Sequence, residues 1–385
     1  MKNIGQASTK PPHTCYSLLI AASLLVCFPA ISMAVGHIQN EACIEASADC
    51  YRSLELPDRA GSLHYYASLE PAPARPQNAL IVIHGHPRDA NVSFQAGIST
   101  ARKAGRLADT LVVAPLFQVA SEASGHCNTP GLPPAQPEDA LWSCESWLDG
   151  GVSAGPHGIS SFAALDALVG ELKKQWPSLT TITFAGFSAG AQMLQRQIGF
   201  AAGAPAGMHL RYVVADPGTW LYFDPERPQL QLGGQATSAA DCGAPAVFPG
   251  SCSISFVKPG FALPSSENCA TSNRWKYGTN QLPAHLLRSA TEARAHYAAA
   301  DIRYLEGELD SSDHKGGFYS ILDKSCAAQQ QGPYRLQRGV AYATYDRQFL
   351  ATDGRHSMTI VPACGHNVDC LLGAPETRNI LFQNP

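Results

Sequence analysis

Three residue types that can perform acyl-transfer chemistry each follow an apolar run of this sequence. Ser188 is the centre of GFSAG, directly after the run TTITFA. His366 follows MTIV in the stretch PACGHNVDC, and Asp310 ends the tetrapeptide GELD after IRYL. A serine hydroxyl becomes an effective nucleophile when a base accepts its proton, and the resulting imidazolium needs a carboxylate to orient it. The spacing therefore predicts a nucleophile, a base and an acid at the ends of three strands.

The small residues around Ser188 predict a sharp turn between a strand and a helix. Gly186, Ala189 and Gly190 remove side-chain bulk on both sides of the serine. A G-x-S-x-G pattern in that context is a nucleophile elbow, which lifts the hydroxyl above a sheet. The start of the following helix also favours negative charge.

Several carboxylates compete for the role of the acid. Asp310 is favoured because a Gly-x-x-Asp turn aims it back toward the end of the sheet, but Glu308, Asp313 and Asp216 are alternatives. Asp216 is the strongest rival, since it ends the preceding apolar run. A metal site formed by Asp310, Asp313 and His314 is a further alternative, although no additional ligand is indicated and we predict no metal.

Two backbone N–H groups are expected to bind the oxyanion that forms during acyl transfer. One is that of Ala189, the residue after the nucleophile. The other is that of His86, in the HGHP sequence after the run ALIVIH, because Gly85 allows close approach and Pro87 has no N–H. The alternative is that HGHP only forms a tight turn.

Short apolar runs alternate with helical patterns from about residue 62 onward. Such runs are typical of parallel strands that are buried on both faces, and their alternation with helices predicts a doubly wound α/β domain. The predicted strands are 63–69, 79–84, 111–117, 180–185, 212–215, 302–305 and 358–361, and the predicted helices are 160–176, one from Ala189, and 334–350.

Two long segments, 120–156 and 217–287, interrupt this alternation and contain cysteines and aromatic residues. Loops of this length inside a compact domain are usually functional or separately folded. We interpret both as disulfide-stapled insertions at one edge of the sheet. Their aromatic residues are candidates for an apolar acyl or aryl pocket, with the core of the insertions as the alternative: Trp142, Trp147, Trp220 and Tyr222.

The N-terminal residues predict export. Lys2 and Lys10 precede the apolar stretch 18–30, and the small residues 32–34 suit cleavage after Ala34, so residues 1–34 resemble a signal peptide. A membrane anchor is less favoured because Ser23 and Pro29 interrupt the stretch. The net charge of −4 and the absence of a basic block argue against a nucleic-acid partner.

The cysteines agree with an oxidising compartment, periplasmic or extracellular. Two of the twelve fall in the leader, and the even remainder favours disulfides over zinc because no CxxC pair occurs. Connectivity does not follow from sequence alone. Short spacings favour the pairs Cys43–Cys50, Cys127–Cys144, Cys242–Cys252 and Cys364–Cys370, which leaves Cys269–Cys326.

The order Ser188, Asp310, His366, with HG after an early strand and GFSAG at the elbow, resembles the α/β-hydrolase superfamily, and in particular its secreted serine esterases. The resemblance implies an α/β fold with a mostly parallel eight-stranded sheet, helices on both faces, a Ser-His-Asp triad and a cap after the sixth strand. The corresponding division of the chain is 1–34 signal peptide, 35–60 N-terminal extension, 61–216 and 288–385 core, and 217–287 cap.

The sequence thus predicts an exported serine hydrolase that cleaves a small or polymeric carboxylic ester, without a cofactor and without stable membrane insertion. An amidase or peptidase with the same triad is one alternative. A catalytically silent binding protein with this fold is another, but such proteins usually lose a triad member.

Overall fold

Eight strands form one sheet at the centre of the computed structural model, which describes residues 43–72, 74–121, 123–232, 235–236, 252–254, 260–264, 269–313 and 316–383. Their order in the sheet is β1-β2-β4-β3-β5-β6-β7-β8. The pairs β1–β2 and β2–β4 are antiparallel, and the others are parallel. The bounds are β1 Tyr51–Glu55, β2 Ser62–Ala67, β3 Asn78–Ile83, β4 Thr110–Leu116, β5 Thr181–Phe187, β6 His209–Ala215, β7 Asp301–Gly307 and β8 Ser357–Val361.

Helices cover both faces of this sheet. Ile81 and Ile83 of β3 face one apolar cluster with α2, α3, α4 and α6, whereas Leu80 and Val82 face another with α1, α7 and α8. This alternation of neighbouring residues explains why the strands read as continuous apolar runs. The bounds are α1 Ala90–Lys103, α2 Ser161–Gln175, α3 Ala189–Phe200, α4 Ala290–Ala299, α5 Cys326–Gln329, α6 Arg335–Phe349, α7 Val368–Gly373 and α8 Pro375–Phe382.

Local sequence signals account for where the helices begin. The Ser160 side chain accepts a hydrogen bond from Ala163 N–H at the start of α2. Ser289 and Glu292 form a reciprocal capping box at the start of α4. Both devices satisfy backbone donors that have no acceptor within the helix. The predicted doubly wound α/β architecture is therefore present, and each strand and helix predicted above overlaps an observed one.

The prediction that residues 35–60 are an extension outside the core is wrong for its second half. Strand β1 pairs with β2 along its whole length, and its Leu54 belongs to the main apolar cluster. The Cys43–Cys50 disulfide directly precedes this strand, and Cys43 N–H donates to Ser68 C=O. The core sheet thus begins at Tyr51. Strand β1 contains both polar and apolar residues, and its hydrogen bonds to β2 make it the edge strand of the sheet.

Four of the five predicted cysteine pairs lie at bond distance: Cys43–Cys50, Cys127–Cys144, Cys269–Cys326 and Cys364–Cys370. The fifth depends on Cys242, which lies outside the described residues. So does the predicted signal peptide, 1–34. Over the described ranges, no helix combines the length and apolarity needed to span a bilayer.

The two long insertions contain little regular structure. Segment 120–156 holds the 3-10 turns Ser124–His126 and Ser146–Asp149. In the described parts of 217–287, five short strands form two small antiparallel sheets: Arg227–Pro228 with Phe261–Ala262, and Leu230–Leu232 between Gln235–Ala236 and Cys252–Ile254. The beginning of this second insertion packs into the core, since Trp220, Leu221 and Tyr222 are fully buried.

Candidate active site

Ser188 lies in the turn between β5 and α3 with a strained backbone. Its φ of 55° and ψ of −116° are unusual for a residue with a side chain. A Cβ on Gly186 would lie 2.6 Å from the Gly190 carbonyl oxygen, and one on Gly190 would collide with the Ile83 and His84 carbonyls. The two glycines therefore allow the turn to form against the end of β3, as the sequence pattern predicts.

His366 reaches Ser188 from the loop that follows β8. Its Nε2 lies 2.8 Å from Ser188 Oγ, and both side chains are almost buried. The Cys364–Cys370 disulfide encloses this loop, and Phe187 packs against the imidazole at a centroid distance of 4.6 Å. In this geometry the imidazole can accept the serine proton.

Asp310 is the carboxylate nearest to the imidazole. Its Oδ2 lies 2.7 Å from His366 Nδ1, which fixes the tautomer with a proton on Nδ1 and leaves Nε2 free to accept one. Arg335 Nη1 donates to Asp310 Oδ1 at 3.3 Å from the first turn of α6. Asp310 is thus held between a cation and the imidazole.

The alternative acids lie differently. Asp216 is fully buried, and its Oδ2 is 3.6 Å from His366 Nδ1, too far for a direct hydrogen bond. Glu308 is exposed and accepts from Ala363 N–H. Asp313 is also exposed. His314, the third member of the alternative metal site, lies outside the described residues.

A third buried carboxyl group, that of Glu306, lies close to Asp216 and Asp310. Burial raises the pKa of Glu306 well above its ordinary range, and the charges of Asp216 and Asp310 raise it further. Asp216 Oδ1 accepts from Gly307 N–H at 2.7 Å. The base of the site therefore holds three buried carboxyl groups, and burial favours the neutral form of Glu306.

The two residues predicted to supply oxyanion donors, Ala189 and His86, lie in turns next to Ser188, and their role stays a prediction. Ala189 is the first residue of α3, where an N–H has no acceptor within the helix. Gly85 lies close enough that a Cβ there would be 3.8 Å from Ser188 Cβ, and its N–H donates to Asp89 Oδ1. His86 is then the remaining donor of this turn, because Pro87 has none.

His84 is a structural residue at the end of β3. Its Nδ1 donates to Gly85 C=O, and its Nε2 accepts from Phe117 N–H at the end of β4. Burial lowers the pKa of His84 to about 3, so the ring stays neutral. It ties the turn that carries His86 to the neighbouring strand.

The prediction that four aromatic residues line a substrate pocket is wrong in this structure. Trp147, Trp220 and Tyr222 have no exposed surface and Trp142 has almost none. Trp147 stacks on Phe117, and Trp220 stacks on Tyr342 of α6. All four belong to the main apolar cluster, so they serve as core residues.

Three residues near the triad were not identified from the sequence: Glu306, Arg335 and Phe318. Glu306 occupies an apolar-looking strand, and a charged residue there was a usable signal because buried charges need partners. Arg335 and Phe318 carry no such local signal. Phe318 lies on the loop after β7, and its ring centroid is 5.9 Å from that of His366.

No protein-family model and no curated protein matches this sequence. Solved structures do resemble the fold. A poly(3-hydroxybutyrate) depolymerase from Bordetella parapertussis is 16% identical, with a TM-score of 0.53, over 86% of this chain and 88% of that one. A poly(aspartic acid) hydrolase-1 from Sphingomonas sp. KT-1 is 18% identical, also with a TM-score of 0.53, over 86% and 98%. The chain therefore has the α/β-hydrolase fold, the fold of the superfamily that its sequence resembles.

Proposed function

We propose that this protein is a serine hydrolase that cleaves carboxylic esters through an acyl-enzyme intermediate. One observation supports the proposal above all others: His366 contacts both other residues, with Nε2 2.8 Å from Ser188 Oγ and Nδ1 2.7 Å from Asp310 Oδ2. Such an arrangement provides a nucleophile, a base and an orienting acid in hydrogen-bond reach of one another.

In the first half of the reaction, His366 Nε2 takes the proton of Ser188 as Oγ attacks the ester carbonyl carbon. Asp310 stabilises the imidazolium that forms. The N–H groups of Ala189 and His86 donate to the oxyanion, a contribution that is often the largest single electrostatic effect in acyl transfer. The C–O bond to the leaving group then breaks, and His366 returns its proton to the departing alcohol.

In the second half, water replaces the alcohol. His366 accepts a proton from this water as it attacks the acyl-serine ester, and then returns that proton to Ser188 Oγ as the acid product leaves. The cycle consumes one water per ester and regenerates Ser188 and His366.

We also propose that the protein is exported. The signal-like residues 1–34 and the four cysteine pairs at bond distance support this, because disulfides persist in oxidising compartments.

The test compares the wild type with Ser188→Ala. Fluorophosphonate labelling is measured, together with the rates of hydrolysis of p-nitrophenyl esters and of the p-nitroanilides of the same acids. We expect ester turnover and labelling in the wild type and the loss of both in the variant. Ser93→Ala, at a buried serine of α1, is the control and should keep both. Undiminished turnover in Ser188→Ala would refute the proposal, and faster cleavage of the anilides would indicate an amidase.

A further inference from the structure

Three large apolar side chains stay exposed in the segment 309–321, which also carries Asp310. Leu309 is 55% exposed, Phe318 is 55% exposed and Ile321 is 58% exposed. Scattered single apolar residues on a surface need no explanation, but a group of them beside one site indicates an interaction. We call these three side chains the apolar rim.

The apolar rim adjoins the catalytic imidazole. The Phe318 ring stands edge-on to His366, with an interplanar angle of 63° at a centroid distance of 5.9 Å. Leu309 lies against the residue before His366, since a Cβ on Gly365 would be 4.0 Å from Leu309 Cβ. Ile321 N–H donates to Phe318 C=O, which keeps the two side chains on one short turn.

Phe318 differs from the other aromatic residue that contacts His366. Phe187 is nearly buried and packs against the imidazole at a centroid distance of 4.6 Å. Phe318 adopts the left-handed conformation, with φ of 47° and ψ of 38°, while more than half of it stays exposed. This conformation is costly for a bulky residue, and burial offsets little of the cost here. Strain that packing does not compensate is a feature of functional sites.

Arg335 also fixes the backbone next to Phe318. Arg335 Nη1, which donates to Asp310, also donates to the carbonyl of Gly317 at 2.6 Å. One buried guanidinium thus fixes both the acid and the residue before Phe318. Four aromatic residues of the insertions are buried, so they leave this contact role to the rim: Trp142, Trp147, Trp220 and Tyr222.

We propose that the apolar rim binds the apolar chain of the ester substrate, with Phe318 as a specificity-determining residue. This rests on the proposed function, and it deepens that function by naming the substrate class. The rim favours esters whose acyl part is an extended apolar chain over acetyl esters, which are too short to cover it.

The test compares kcat/KM for p-nitrophenyl octanoate and p-nitrophenyl acetate in Phe318→Ala and Phe318→Leu. We expect Phe318→Ala to lower kcat/KM for octanoate roughly tenfold, mainly through KM, because about half of a phenylalanine side chain is still available for burial. The acetate value should fall much less, because an acetyl group is too short to cover the rim, so the octanoate-to-acetate ratio should fall. Phe318→Leu should recover most of the octanoate value, since it keeps an apolar side chain.

Leu287→Ala is the matched control, at a 68% exposed apolar residue in the segment before α4. It should change neither substrate. An unchanged octanoate-to-acetate ratio in Phe318→Ala would overturn the proposal, and so would an equal fall for both substrates, which would assign Phe318 a purely structural role. Failure of the proposed function is recognised separately, because the wild type would then hydrolyse neither ester and would not label with a fluorophosphonate.

Discussion

Two different replacements of Asp310 should have different effects, because a second carboxylate lies nearby. In Asp310→Asn, the amide oxygen will turn toward Arg335, which donates to Oδ1 in the native protein, and the NH₂ group will face His366 Nδ1. That nitrogen can then no longer carry the proton, and kcat should fall by about 10⁴, as when a triad acid is made neutral. Asp310→Ala introduces no competing donor and leaves Asp216 Oδ2 3.6 Å from Nδ1.

The size of the effect follows from what Asp310 supplies in addition to Asp216. Asp216 Oδ2 lies 3.6 Å from Nδ1 in the native protein, and its attraction for the imidazolium is retained in Asp310→Ala, which loses the hydrogen bond of 2.7 Å to Asp310. A hydrogen bond to a charged group contributes about 1.5–3 kcal/mol. We therefore expect Asp310→Ala to lower kcat by at least about 10- to 10²-fold, and by less than Asp310→Asn, which loses the same hydrogen bond and also places a donor against Nδ1.

The assay is kcat with p-nitrophenyl acetate for both single variants and for Asp310→Ala combined with Asp216→Ala. The double variant should fall to the level of Asp310→Asn. Thermal unfolding is followed in parallel, because Arg335 loses its buried partner and kcat must be measured well below the melting temperature. Equal kcat values for Asp310→Ala and the double variant would refute the role assigned to Asp216.

Two further predictions concern pH and the His366 loop. Because the pKa of Glu306 is raised in the folded protein, stability should fall as pH rises above the ordinary value of 4.5, and Glu306→Gln, which has a similar shape and does not titrate, should remove this fall. The free energy of unfolding of Glu306→Gln should exceed that of the wild type by more at pH 8 than at pH 5. An equal difference at the two pH values would contradict a raised pKa of Glu306. Replacing Cys364 and Cys370 with serine should lower kcat by as much as about 10²-fold, because a displacement of the base by about 1 Å has that effect. Replacing Cys43 and Cys50, which close a loop of similar length, should cost similar stability but leave kcat unchanged; a matching fall in kcat would show that the first bridge does not position His366.

The sequence was most informative where a local pattern and a topological rule coincide. Ser188, Asp310 and His366 each follow an apolar run, and the ends of parallel strands meet at one edge of a sheet. The prediction could therefore place three residues together although they are far apart along the chain. The role of Gly186 and Gly190 was also predictable from the sequence. The backbone approaches so closely in this turn that a side chain at either position would collide with it.

The remaining features depend on contacts between distant segments. Strand β1 has few apolar residues, and only its pairing with β2 makes it part of the sheet. Trp142, Trp147, Trp220 and Tyr222 were candidates for a substrate pocket because their positions in the sequence do not show whether an aromatic side chain faces a pocket or the core. Glu306 lies against Gly339 of α6 in a contact that no local spacing encodes. Tertiary packing decided each of these cases.

The contact of Gly190 with the carbonyls of Ile83 and His84 has a consequence for which residues of this protein can be varied. It packs the start of α3 directly against the turn that carries His86. The distance between the N–H groups of Ala189 and His86 is therefore fixed by this backbone contact. Laboratory evolution can then vary the three side chains of the apolar rim, while any residue other than glycine at position 190 shifts both donors at once. Libraries built on this scaffold should therefore hold residues 85–86, 186–190 and Asp310 constant and diversify Leu309, Phe318 and Ile321, because there the binding of new substrates can change without a loss of transition-state stabilisation.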